Sequence, residues 1–107
     1  MRSDMEMHPK KRIDIVLEAP VLKRLTDLLD RLDVTGYTVL PVLGGKGHHG
    51  VWSREGLPSS AGAMVSVTVI AAEENLDAVL EPVFALVKRH IGIVTVSDVA
   101  VLRSDRF

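Results

Sequence analysis

The feature that most limits how this chain can fold is the regular exchange of two apolar spacings along it. From residue 11 to 17, Ile13, Ile15 and Leu17 stand at every second position with Asp14 and Val16 between them, the period of a strand with one strongly apolar face. Pro20 then opens a different pattern: Val21, Leu22, Leu25, Leu28, Leu29 and Leu32 fall at i, i+1, i+4, i+7, i+8 and i+11, the stripe of an amphipathic helix. Gly36 closes that segment, and "YTVLPV" returns to strand spacing over 36–42, with Pro41 marking an edge strand or its end. "AMVSVTVIA" sets Val65, Val67 and Val69 on one face and Met64, Ser66, Thr68 and Ile70 on the other. "AEENLDAVLEPVFALVKRH" begins acidic, ends basic, and aligns Leu76, Val79, Leu80, Val83, Phe84 and Val87 on one helical stripe. Pro82 interrupts it, removing a backbone bond at a cost of about 3 kcal/mol, so a kink or a shifted start is expected. The β-branched run "IGIVTVSDVAVLR", 91–103, makes the last strand.

The order is β-α-β-β-α-β. That is the α+β, ferredoxin-like arrangement: a four-stranded, mixed, mostly antiparallel sheet with two helices on one face. No segment supplies a third helix for the opposite face, yet Val16, Leu40, Met64 and Ile70 put apolar surface there. An uncovered patch on the order of several hundred Å2 is unusual on a soluble monomer, so a homo-oligomer is expected.

A chain of 107 residues has room for one domain. Residues 1–10 read as a flexible tail, because Pro9 and the Lys10-Lys11-Arg12 cluster precede the first alternating run, and 11–107 as the single domain. An apolar fraction of 47% and a formal charge of −1 disfavour disorder and bulk nucleic-acid binding. RNA recognition by stacking on the sheet is disfavoured too, since the last two strands carry no Phe, Tyr or Trp. The absence of cysteine removes thiolate chemistry and fits a reducing compartment. With no signal peptide and no apolar run of about 18–20 residues, a cytoplasmic protein without membrane insertion is expected.

Between the second and third strands lies "GGKGHHGVWSREGLPSSAG", residues 44–62. GKGHHG matches the dinucleotide fingerprint formally, but that motif needs a helix N-terminus after it, and no helical period follows Gly50. A P-loop fails as well, because Lys46 is followed by Gly47 rather than Ser or Thr. Two readings stay open. Glycine-rich backbone can turn its N–H groups toward an anion, with Lys46 and Arg54 pairing to phosphate oxygens, or the segment is a solvated connection with no ligand. Loops this long in compact domains are usually functional or disordered. Trp52 is either a partner-facing anchor or a plug folding the loop back on the body. The adjacent His48 and His49 cannot easily face one metal ion, and no third ligand stands near them in sequence. No nucleophile, base and orienting group can be assembled, so no catalytic residue is assigned.

"TGYTVLPVLGGKGHHG", a loop of a dozen or so residues, a Val-rich strand, a helix and "IGIVTVSDVAVLR" together resemble the PII signalling family from residue 11 almost to the end. The resemblance implies a trimer that binds adenine nucleotide (AMP, ADP or ATP) in clefts between subunits. It makes residues 43–62 the T-loop, which changes shape with ligand and docks on a regulated protein. Carried over residue by residue, it implies nucleotide contacts from Thr38, Gly44, Gly45, Lys46, Gly47, Arg54, Gly92, Arg103 and Arg106. Partner contacts would come from Trp52, Ser53, Arg54 and Glu55. The glutamine of the 2-oxoglutarate sensors is replaced by His48, the uridylylated tyrosine is missing, and the loop before the last strand is cut to "KRHIGIV". This is more similar to the PII-like proteins tied to bicarbonate transporters and carboxysomes, some of which respond to bicarbonate. A non-catalytic regulator of inorganic-carbon uptake or fixation is therefore expected. A divalent-metal-binding trimer of the cation-tolerance type, using His48 and His49, is the rival. An acylphosphatase-like enzyme is the third reading, and it is weakened by "EAPVLK", which lacks the glycines of an anion cradle.

Overall fold

The structure is a computed structural model that describes residues 5–47, 50–53 and 63–103, with backbone alone at residues 47 and 50–53. The alternating runs become β1 (His8–Glu18), β2 (Tyr37–Val42), β5 (Met64–Ala71) and β6 (Gly92–Val101), and the 3.6-residue stripes become α1 (Leu22–Arg31) and α2 (Leu76–Val87). The four long strands form one sheet in the order β2-β5-β1-β6. Every neighbouring pair is antiparallel, so the sheet is not mixed as the element order alone suggested. Each β-α-β crossover carries the chain over one position, and an antiparallel strand then fills the gap between the two parallel-running ones.

Alternation decides the core. Ile13, Ile15 and Leu17 of β1 and Val67 and Val69 of β5 have no exposed surface, and they pack under Leu25 and Leu29 of α1 and Val79, Val83 and Val87 of α2. Their partners in sequence (Arg12, Asp14 and Val16; Ser66, Thr68 and Ile70) lie on the face away from the helices. Phe84 departs from its expected place on the buried stripe, being 56% exposed. One residue past Val83 is a rotation of about 100°, which carries its ring beyond the contact with the sheet.

β1 begins at His8, three residues before the expected strand, through pairing with β6 alone: His8 faces Val101 and Pro9 faces Ala100. The β5 ladder starts only at Lys11, so Pro9 sits where β1 has one neighbour and a missing N–H costs little. α1 ends before Gly36 is reached. Asp33 takes the left-handed conformation, φ 56°, its N–H donating to the Asp30 carbonyl and that of Val34 to the Leu29 carbonyl, which closes the helix as a Schellman turn. α2 runs through Pro82 from a start six residues earlier, so its start is not displaced to the proline. Buried contacts on both sides, Val79 before it and Val83 and Val87 after it, oppose the lost bond. No helix of the described residues is long and apolar enough to cross a membrane.

Candidate functional site

The sequence points to three places in the molecule, and one chain keeps them apart. The first is the glycine-rich stretch after β2. Gly44–Gly47 (β3) pairs antiparallel with Gly50–Ser53 (β4), in the register Gly44 to Ser53, Gly45 to Trp52 and Lys46 to Val51. Sequence reasoning gave this stretch no strand, because three glycines in four residues carry no apolar period. Gly44, Gly45 and Lys46 are exposed. Among the described residues Lys46 makes no ion pair, which leaves its ammonium available to an anion. Arg54, Glu55 and Arg106, like His48 and His49, lie outside the described residues, and Gly47, Trp52 and Ser53 are described by their backbone alone.

The second place is the turn into β6. Gly92 faces Leu17, which faces Val65, which faces Pro41, so Gly92 and the exit of β2 occupy the same end of the sheet. Three strand spacings separate them, about 14 Å. A methyl group at Gly92 would lie 2.8 Å from Val87 Cγ1 and 2.9 Å from the Val16 carbonyl oxygen. Only glycine lets β6 start this close beneath the end of α2. Beside it His90 is held from two sides: Nδ1 lies 3.4 Å from Glu18 Oε1, and Nε2 lies 3.4 Å from an Arg24 guanidinium nitrogen. The Ile91 N–H also donates to Glu18 Oε1, at 3.4 Å. Since a guanidinium only donates, the tautomer with its proton on Nδ1 is the one that would satisfy both neighbours, accepting from Arg24 and donating to Glu18. In the sequence His90 is the last residue of the basic end of the second helical segment; Glu18 and Arg24 are too distant in sequence for any spacing rule to join them to it.

The third place is beyond the far end of β6. Arg103 follows Val101, which pairs with His8. Nine steps along an extended strand separate Gly92 from Val101, about 30 Å. Arg103 is exposed and stands at the end of the sheet opposite to Gly92 and to Gly44–Gly47. A ligand held by both ends must therefore take them from different chains.

Thr38 lies between, on the uncovered face, at the head of a row that runs Thr38, Thr68, Asp14, Thr95 across the four strands. Thr68 Oγ1 donates to Asp14 Oδ1 at 2.7 Å, and Arg12 Nε reaches the same carboxylate at 2.9 Å and 3.2 Å. Of this row the sequence reading singled out only Thr38. The position of Asp14 between two buried isoleucines was the available signal, because alternation sends it to the same side as Thr68. The next row along the face is Leu40, Ser66, Val16 and Ile93, in which Leu40 is 55% and Ile93 57% exposed.

Asp98 binds Lys11 directly opposite on β1, and Glu73 stands 3.5 Å from the same ammonium. The hydrogen bond to Asp98 raises the pKa of Lys11 above the ordinary lysine value, against the opposing effect of desolvation. Among the described residues no group of three His, Cys, Asp or Glu is placed to hold a metal ion.

An antiparallel β-α-β-β-α-β sandwich with a glycine-rich extension after its second strand defines a ferredoxin-like α+β protein whose ligand site, if built from these residues, is shared between chains. The family model for nitrogen regulatory protein P-II matches residues 10–106, and the chain belongs to that family. Among solved structures it is similar to CPII, a nitrogen regulatory PII-like protein of Thiomonas intermedia K12 bound to ADP, AMP and bicarbonate. Identity there is 33%, the match covers 96% of this chain and 97% of that one, and the TM-score is 0.86. CPII bound to ADP and bicarbonate matches at 35% identity over 96% and 98% of the two chains, with a TM-score of 0.81. A PII-like signalling protein of Thermus thermophilus matches at 25% identity over 96% and 99%, with a TM-score of 0.79. A search of curated proteins finds no match.

Proposed function

We propose that this protein is a trimeric, non-catalytic sensor of adenine nucleotides, in which residues 43–62 change conformation with ligand to regulate a partner in inorganic-carbon uptake or fixation. The observation that carries the reading is the likeness, over 96% of the chain at 33–35% identity, to a protein crystallised with ADP, AMP and bicarbonate. The separation of the site residues supports the shared cleft. Gly44, Gly45, Lys46 and Gly47 would meet the phosphates from one chain, with Gly92 at the same end of the sheet. Arg103 and Arg106 would reach in from a neighbour, and Arg54 would close over the ligand. Thr38 sits on the face that a neighbouring copy would cover. Trp52, Ser53, Arg54 and Glu55 would present the ligand state to the partner.

Guanidinium and ammonium groups pair with phosphate oxygens one by one, so the number of phosphates decides how many of these contacts close. A nucleotide that binds only one loop state shifts the loop population, and a partner preferring that state tightens nucleotide binding by the same factor. The test is calorimetry with AMP, ADP and ATP, with and without bicarbonate, on the wild type and Arg54→Ala, with particle mass from light scattering. The expected result is a trimer that binds at least one nucleotide, and roughly tenfold weaker binding in the variant through loss of one charge-assisted contact. Undetectable binding of all three nucleotides by a folded wild type would remove the reading. A melting-temperature rise with copper or zinc and none with nucleotide would favour the metal-binding alternative.

A further inference from the structure

The two-helix layer carries on its outer side, the side away from the open sheet face, a groove of about 350 Å3. Leu28 of α1 and Leu86 and Ala85 of α2 form its floor, and Arg24, Asp27, Arg31 and Arg89 its walls. Ala85 contributes only a methyl group to the α2 side of the trough. Three guanidiniums share it with one carboxylate, and that carboxylate is already engaged: Lys23 Nζ reaches the two Asp27 oxygens at 3.1 Å and 3.4 Å. Among the described residues Arg24 has one polar side-chain contact, the imidazole of His90, and Arg31 and Arg89 have no carboxylate partner. In a chain of net charge −1, this is a local concentration of unneutralised positive charge over an apolar floor.

We infer that this groove docks an acidic amphipathic helix of a partner protein, a contact separate from the one proposed for residues 43–62. Arg24 and Arg31 are seven residues apart on α1, two turns or about 10.5 Å along one stripe. A helix laid in the groove presents side chains at i and i+7 with the same spacing, so two carboxylates can meet the two arginines while Arg89 closes from the other wall. Residues at i+3 and i+4 of that helix lie between and would set an aliphatic side chain against Leu28 and Leu86. A nucleic acid is a poorer fit: three cations are few for counterion-driven binding, and the floor has no aromatic face on which a base could stack.

The probe is a fluorescein-labelled, 15-residue helical peptide with Glu at positions 1, 8 and 15 and Leu at 4, 5, 11 and 12 on an alanine background. Its control replaces every Glu by Gln. Full-length protein is titrated by anisotropy at low and moderate salt, and the perturbed amides are located by 1H–15N NMR. The expected result is saturable binding of the Glu peptide, with shifts in 22–31 and 85–90 and a loss of affinity as salt rises. The Arg31→Gln/Arg89→Gln variant, which leaves the Arg24–His90 contact in place, should bind roughly tenfold more weakly, two exposed charge pairs being removed. Its nucleotide binding should be unchanged, so failure here is distinguishable from failure of the sensor reading. Equal binding of the Gln peptide, unchanged affinity in the variant, shifts confined to other surfaces, or tighter binding of a single-stranded RNA to the same residues would each overturn the proposal.

Discussion

The two faces of the sheet are made by the same strands and reach opposite outcomes. On the helix side Ile13, Ile15, Leu17, Val67 and Val69 have no exposed surface, so one chain completes that face by itself. On the other side Leu40 and Ile93 are more than half exposed, flanking Ser66 and Val16, and the polar row from Thr38 to Thr95 runs beside them. One chain finishes a core, and the same alternation leaves a second surface uncovered, the one on which copies would meet in the proposed trimer. Folding and assembly are therefore expected to respond to different residues one position apart.

That contrast can be broken most severely at Ile15. Ile15→Ala should lower the unfolding free energy by about 2–5 kcal/mol, measured by denaturant titration, because a fully buried side chain leaves a cavity among neighbours that cannot collapse into it. Substituting across the strand should act on assembly instead. Leu40→Asp/Ile93→Asp should keep the circular dichroism of the fold while the particle mass falls toward the 11.7 kDa of one chain. A soluble trimer of unchanged mass in that variant would mean that copies do not meet on this face.

Gly92→Ala comes next. Its methyl group collides with the Val16 carbonyl and Val87, and overpacking of this kind typically costs about 1–3 kcal/mol. A stability within experimental error of wild type would show that the turn into β6 can retreat. Thr68→Val should cost about 1 kcal/mol, since Asp14 keeps Arg12 but loses its hydroxyl donor. The loss should grow where a second copy excludes water from the row, so comparing it above and below the assembly concentration sharpens the comparison of faces.

The smallest effect belongs to Lys11, on the helix side but near its rim. Its pKa is raised in the folded chain, so the pair with Asp98 favours folding fully below the unfolded value of 10.5 and loses that effect as pH rises through the folded value. Wild-type stability should fall more steeply than that of Lys11→Gln between pH 9 and pH 12. Parallel pH profiles of the two proteins would remove the pair from the account.

What sequence reasoning could read was local repetition. The four long strands, both helices, the edge position implied by Pro41 and the inward set of β1 and β5 all follow from periods of 2 and 3.6. Phe84 was misplaced because a period assigns a stripe but not its margin. The end of α1 was assigned to Gly36, whereas Asp33 takes the left-handed turn, a conformation asparagine and aspartate also reach. The β3–β4 pairing was invisible, since glycine has no side chain from which to read a face. The candidate site residues came only from the family resemblance. Their geometry was not legible, because Glu18, Arg24 and His90, or Thr68 and Asp14, are joined by the fold and not by spacing.

The length of β6 has one more consequence. Because the strand begins in the tight turn at Gly92 and carries Val101, two residues before Arg103, about 30 Å away, it acts as a ruler between two ends that would serve different clefts in the proposed assembly. Removing two residues would keep every side chain on its proper face yet draw the arginine back by about 7 Å, a phase-preserving change that alters reach alone. A trimer built on such a measure would tolerate substitutions along β6 far better than any change in the number of its residues.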